Sequence, residues 1–165
     1  MRRPASRTQG PRADSSVLLL LWGRPLRVLM VRKSCSSGGY WACDMALPGG
    51  RVEPGESYVE AALREAWEEA GVPPGLVEAA GVACFERTRR GLVMAVVAGR
   101  PRGPLEARPS SGEVDFAGWI PLDAFSAEPG FVVHPVRGPV VGVELPGGLV
   151  VWALVCRLPV YPQPR

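Results

Sequence analysis

The stretch between two proline- and glycine-rich breaks constrains this chain most. Pro48-Gly49-Gly50 stands before it, and Gly71-Val72-Pro73-Pro74 ends it. Between them Val59, Ala62, Leu63, Ala66 and Ala70 recur at helical spacing and define one apolar face. Ser57, followed three residues later by Glu60, has the form of a capping box, and Pro54-Gly55 lead into it. Gly71 falls where a helix C-cap glycine belongs, and the two prolines after it forbid continuation. The pattern predicts a well-bounded helix over residues 57–70 with one buried face.

The other face carries Glu65, Glu68 and Glu69, three and four positions apart, so their carboxylates project together. Like charges at this spacing repel by a few tenths of a kcal/mol per exposed pair. A bare Glu-x-x-Glu-Glu is most simply a solvated acidic surface. The surroundings point elsewhere. Arg64 adjoins the cluster and can pair with Glu56, fixing the preceding loop to the helix. The glycine turn lets backbone approach a ligand closely. Three carboxylates on one patch suit a hard cation such as magnesium or manganese, which prefers carboxylate and water oxygens and bridges them to phosphates.

Gly50, Glu56, Arg64, Glu65, Glu68, Glu69, Gly71 and Val72 stand at the spacing GX5EX7REUXEEXGU, with Ala66 at the first aliphatic position. The segment therefore resembles the box of the Nudix hydrolases. The resemblance implies an α+β fold, an α/β/α sandwich with a mixed central sheet and the box as a loop–helix–loop. It also implies Mg²⁺ or Mn²⁺ held by Glu65, Glu68 and Glu69, often with the Gly50 carbonyl, while Glu56, Arg64 and Gly71 serve the structure of the box. A further resemblance concerns substrate. Trp41, Met45, Ala46, Pro48, Gly49 and Gly50 match the run before the box in coenzyme A diphosphatase-like members, whereas Ala42, Cys43 and Leu47 depart from it. Glu113-Val114, Trp119-Ile120-Pro121-Leu122 and Val151-Trp152-Ala153-Leu154 fit the related tail, but Pro159 cuts short the C-terminal helix expected there.

Around the box the chain reads as one domain over residues 16–160 behind a loose polar arm, residues 1–15. Residues 16–22 and 26–32 read as a hairpin about Gly23-Arg24-Pro25, and 34–40 as a Ser/Gly loop. Residues 45–47 form a short strand. Residues 83–87 and 92–98 are strands joined by a basic turn, 100–112 is a loop, and 114–120 is a strand followed by a short turn or helix from Pro121. A strand is expected at 140–143. Residues 149–158 fit a strand or a buried helix.

Composition narrows the partners. Apolar residues are 47% of the chain and charged residues 21%, as in a globular domain, and the net charge is +3. That mild excess suits an anionic small molecule and is too weak for nucleic acid, which calls for a basic stripe with interleaved aromatics. Four cysteines without C-x-x-C spacing and a single histidine argue against zinc and against a disulfide scaffold, so the cysteines are expected reduced and mostly buried. The apolar run near the start is too short for a membrane span of ~18 residues and lacks a cleavage pattern. A cytoplasmic protein acting on a nucleotide is expected, with a homodimer left open.

Further site candidates are weaker. Glu68 or Glu65 can double as a general base, and Glu113, before the strand at 114, is a further carboxylate for that role or an ordinary loop residue. Arg89 and Arg90 could clamp phosphates, although a solvated turn is the plainer reading, and Arg51 beside the glycines is the better phosphate contact. Trp41 could stack on a base. Trp67 and Tyr58 read as packing residues, and His134 as isolated and without a catalytic part. The expected activity is hydrolysis of a diphosphate linkage in a nucleoside diphosphate derivative, coenzyme A being favoured. ADP-ribose or nucleoside triphosphate hydrolysis is the alternative. A non-catalytic nucleotide-binding module would predict losses among the box glutamates, and none is present.

Overall fold

The computed structural model describes residues 11–88 and 90–152. Its centre is a mixed sheet built on β1 (Ser15–Trp22) and β2 (Arg27–Lys33). β1 pairs in parallel with β6 (Val93–Pro101), and β6 pairs antiparallel with β5 (Val77–Arg87). β2 pairs antiparallel with β3 (Met45–Ala46) and β7 (Val114–Pro121). β4 (Gly49–Arg51) pairs antiparallel with the start of β1.

β1 and β2 are apolar without alternation because both of their faces are covered. Leu18, Leu20, Leu29 and Val31 face α1 (Tyr58–Ala70), together with Val97 and Val114. Val17, Leu19, Val28 and Met30 face the opposite way. There the cover is a second antiparallel sheet of β8 (Gly130–His134), β9 (Gly138–Leu145) and β10 (Leu149–Trp152), contributing Val143, Leu145, Leu149 and Val151. The mixed sheet and the loop–helix–loop agree with expectation. Among the described residues the layer opposite α1 is this small sheet rather than a helix. Its physical origin is a β-branched run, Val132-Val133, Val140-Val141 and Val150-Val151, punctuated by left-handed Gly138, Gly147 and Gly148. The expected strand at 83–87 extends back to Val77, with register shifts on either side of Gly81 and Val82. The part of residues 149–158 beyond Trp152 lies outside the described residues. Ala13 is buried and donates its N–H to the Tyr58 hydroxyl, so the chain is tied down before β1 begins.

The buried stripe of α1 is Ala62, Ala66 and Ala70, each fully buried. Small side chains let the helix lie close on the sheet. Ala66→Leu is therefore expected to overpack this contact and cost ~1–3 kcal/mol, a fall of several degrees in a thermal melt. An unchanged midpoint would mean the contact is looser than it stands here.

The expectation for the cysteines is overturned. Cys35 and Cys43 are not reduced thiols but are joined in a disulfide. The pairing of Val31 with Ala46 and Arg32 with Met45 brings the two ends of the intervening loop together, which sequence spacing does not reveal. Cys84 is free and half-buried, and burial pushes its thiol up. Peptide mapping without reductant is expected to recover Cys35 and Cys43 in linked peptides; two separately alkylated peptides would contradict the bond.

Candidate active site

The loop before α1 is fixed by β4, where Gly49 opposes Val17 and Gly50 opposes Ser16. The helix starts as expected: the Ser57 hydroxyl accepts from the Glu60 N–H at 3.1 Å, and the Glu60 carboxylate accepts from the Ser57 N–H at 2.8 Å. The Ser57 N–H first, and then the Ser57 hydroxyl, hold the Glu60 carboxyl below its usual range. The helix ends at Gly71, in the left-handed region at φ 67°, with its N–H turned back to the Ala66 and Trp67 carbonyls.

Arg64 joins loop to helix. Its Nε donates to Glu56 Oε1 at 2.8 Å, one terminal nitrogen donates to Glu56 Oε2 at 3.1 Å and to the Arg51 carbonyl at 3.0 Å, and the other reaches Glu65 at 3.0 Å and Glu68 at 3.3 Å. The guanidinium holds the Glu56 carboxyl low, and Glu56 in turn holds Arg64 charged well above its ordinary range. The clamp also offsets the mutual repulsion of the helix glutamates.

The three glutamates sit in different environments. Glu68 is half exposed. Glu65 lies with its carboxylate against Gly50, so a Cβ there would overlap it. Glu69 is 2% exposed, accepts from the Gly49 N–H at 3.0 Å and is paired with the Lys33 ammonium. Burial raises the Glu69 carboxyl, with Lys33 acting against that rise. All three line a cleft of about 630 Å³. Its opposite wall is the loop carrying Arg108, Ser110, Ser111 and Glu113. That loop is hung on the end of the helix, because the Arg108 N–H donates to the Ala70 carbonyl and the Ser110 N–H to the Glu69 carbonyl, each at 3.1 Å.

Glu65, Glu68, Glu69 and Glu113 thus line one cleft. Arg51 gives its carbonyl to Arg64, and its side chain is not among the residues lining the cleft. Trp41 is half exposed on the disulfide-closed loop, edge-on to Tyr40 at 4.8 Å, and it too is outside the cleft lining. Arg89 lies outside the described residues. Tyr58 is a packing residue, edge-on to Phe85. Trp67 is not: it is half exposed and lines the cleft. His134 is not isolated. It is buried, its Nδ1 accepts from the Val136 and Arg137 N–H groups, and its Nε2 stands 2.9 Å from Asp44, which Arg137 also pairs. This network anchors the loop bearing Trp41 to the second sheet. Arg108, Ser110 and Ser111 carry no motif; the polar run Arg108-Pro109-Ser110-Ser111-Gly112-Glu113 before a strand is the signal that could have pointed to them.

Among the described residues no three acidic, histidine or cysteine groups stand where they could together hold a metal ion. The donor set nevertheless fits a hard divalent ion, since such ions need one or two carboxylates and take remaining oxygens from water and phosphate. Glu65 beside Gly50, with Glu68 and Glu69, could supply those oxygens.

A capped helix that turns a glutamate cluster into a cleft above a mixed sheet is the arrangement of a Nudix hydrolase. The chain belongs to that family, whose NUDIX domain model matches residues 12–139. It is 31% identical over 126 residues to a MutT-like protein of Streptomyces ambofaciens, covering 76% of this chain and 75% of that protein. It is 32% identical over 118 residues to the NAD-capped RNA hydrolase NudC of Chromobacterium violaceum, covering 70% of this chain but only 41% of that relative. The fold matches a C. elegans Ap4A hydrolase with a TM-score of 0.56 at 18% identity, over 66% of this chain and 80% of that one. No helix among the described residues is long and apolar enough to cross a membrane.

Proposed function

We propose that this protein hydrolyses a diphosphate linkage in a nucleoside diphosphate derivative, using Mg²⁺ or Mn²⁺ bound by Glu65, Glu68, Glu69 and the Gly50 carbonyl. The observation that carries the reading is the single cleft in which the box glutamates face Arg108, Ser110, Ser111 and Glu113. When bound, the metal supplies neutralisation of phosphate charge and a lower pKa for a coordinated water. The chain's own residues do the rest. Arg108 offers a planar donor pair that suits a phosphate. Ser110 and Ser111 add hydroxyl donors. Glu68 and Glu113 are the exposed carboxylates able to accept a proton from attacking water, with Glu65 the third candidate, less free because Arg64 already bonds it. Trp67 offers an aromatic face for a base at the cleft.

Coenzyme A is the particular substrate we favour, on the Trp41–Gly50 run. ADP-ribose or a nucleoside triphosphate is the alternative substrate, and the likeness to the NAD-capped RNA hydrolase NudC adds an NAD-linked diphosphate to the candidates. Arg51 and Arg89 stay as proposed phosphate contacts, and Trp41 as a proposed stacking surface for the base. The proposal places the enzyme in the cytoplasm; the Cys35–Cys43 bond weighs against that, because cytosolic thiol systems keep such pairs open. Product release from coenzyme A, NADH, ADP-ribose and dinucleoside polyphosphates, measured with and without Mg²⁺ or Mn²⁺, tests the reading. Metal-dependent cleavage of one supports it. Tight binding without turnover on any would replace it with a binding module.

A further inference from the structure

The odd-numbered residues of the second sheet share one face. Along β9 that face runs from Leu145 and Val143, both buried in the core, to Val141, which is 58% exposed. Beside Val141 stands Phe131 at 88%, and beside Pro139 stands Val133 at 73%. The core-facing surface of this sheet therefore continues past the mixed sheet as an uncovered apolar strip, of the sort that marks an interaction site. β8 is also an edge strand, paired only with β9 among the described residues. Gly130-Phe131-Val132-Val133-His134 carries no lysine, acid or proline, the residues that normally protect an edge.

We propose that β8 is a dimerisation edge, occupied by β8 of a second copy of this chain. Antiparallel pairing about a two-fold axis through Val132 places Phe131 of each copy opposite Val133 of the partner subunit. Both side chains fall on the apolar face, giving two aromatic–β-branched cross-strand pairs and one six-stranded sheet. The sequence of the strand is thus complementary to itself in this register.

Sedimentation velocity of the full chain between about 1 and 100 µM tests this. The wild type is expected to reach twice the 17.7 kDa monomer mass. F131K/V133K sets like charges across both pairs and is expected to be monomeric over the same range while still unfolding in one cooperative transition. Should that variant not fold, F131S/V133T keeps strand-compatible residues and is expected to weaken association at least tenfold. A wild type that stays monomeric at the highest concentration overturns the proposal, and so does a dimer that survives in the folded variants.

Discussion

Glu68→Gln is expected to lower turnover by ~10²–10⁴-fold, the size of effect seen for a positioned acid–base or electrostatic group. It should leave the melting midpoint unchanged. Glu68 is half exposed, and among the described residues it is hydrogen-bonded by Arg64 at 3.3 Å, a clamp that keeps Glu56 and Glu65 as partners. A side chain so little used by the fold has room for a function. Glu69→Gln makes the informative contrast. That carboxylate is buried between Lys33 and the Gly49 N–H, so a neutral amide leaves the Lys33 ammonium poorly matched. It should lose activity and also ~1–3 kcal/mol of stability. Steady-state rates at saturating Mn²⁺, with melts of both variants, separate the two. Glu68→Gln at near wild-type rate would remove this residue from the metal site.

The difference between Glu68 and Glu69 was invisible in the sequence, where they are neighbours in one motif. What was legible is what is local. Helical period, capping box, C-cap glycine and box spacing all fall within residues 50–72, and α1 with its clamp formed as they require. What was not legible depends on chain crossings. Lys33 meets Glu69 only because β2 ends beside the helix, and Asp44 meets His134 only because β8 folds back over the loop. Cys35 and Cys43 meet because β3 returns along β2. Such pairs leave no period in a single sequence. Trp67 was misread for another reason: an aromatic next to Ala66 invites assignment to the apolar face, yet one residue along a helix is a turn of about 100°. That rotation carries it from the sheet to the cleft.

The adjacent glycines Gly49 and Gly50 allow the site to be perturbed apart from the fold. Gly50→Ala is expected to reduce turnover ~10²-fold, the cost of a misplacement of about 1 Å, while the protein remains folded. The Gly50 backbone is not in the left-handed region, so alanine meets no intrinsic strain. The new Cβ would collide instead with the Glu65 carboxylate, the mobile end of a flexible side chain. The carboxylate can swing aside at small cost in stability, and doing so takes it off the cleft wall it shares with Glu68 and Glu69. At Gly49 the outcome reverses. A Cβ there would come within 2.5 Å of the Ser16 carbonyl oxygen and 2.7 Å of Val17 Cα, backbone atoms of the central strand that cannot yield. Gly49→Ala should therefore be destabilised or fail to fold. Melts and rates of the two variants check the pair: if Gly50→Ala keeps full activity, Glu65 does not need its present position for the reaction.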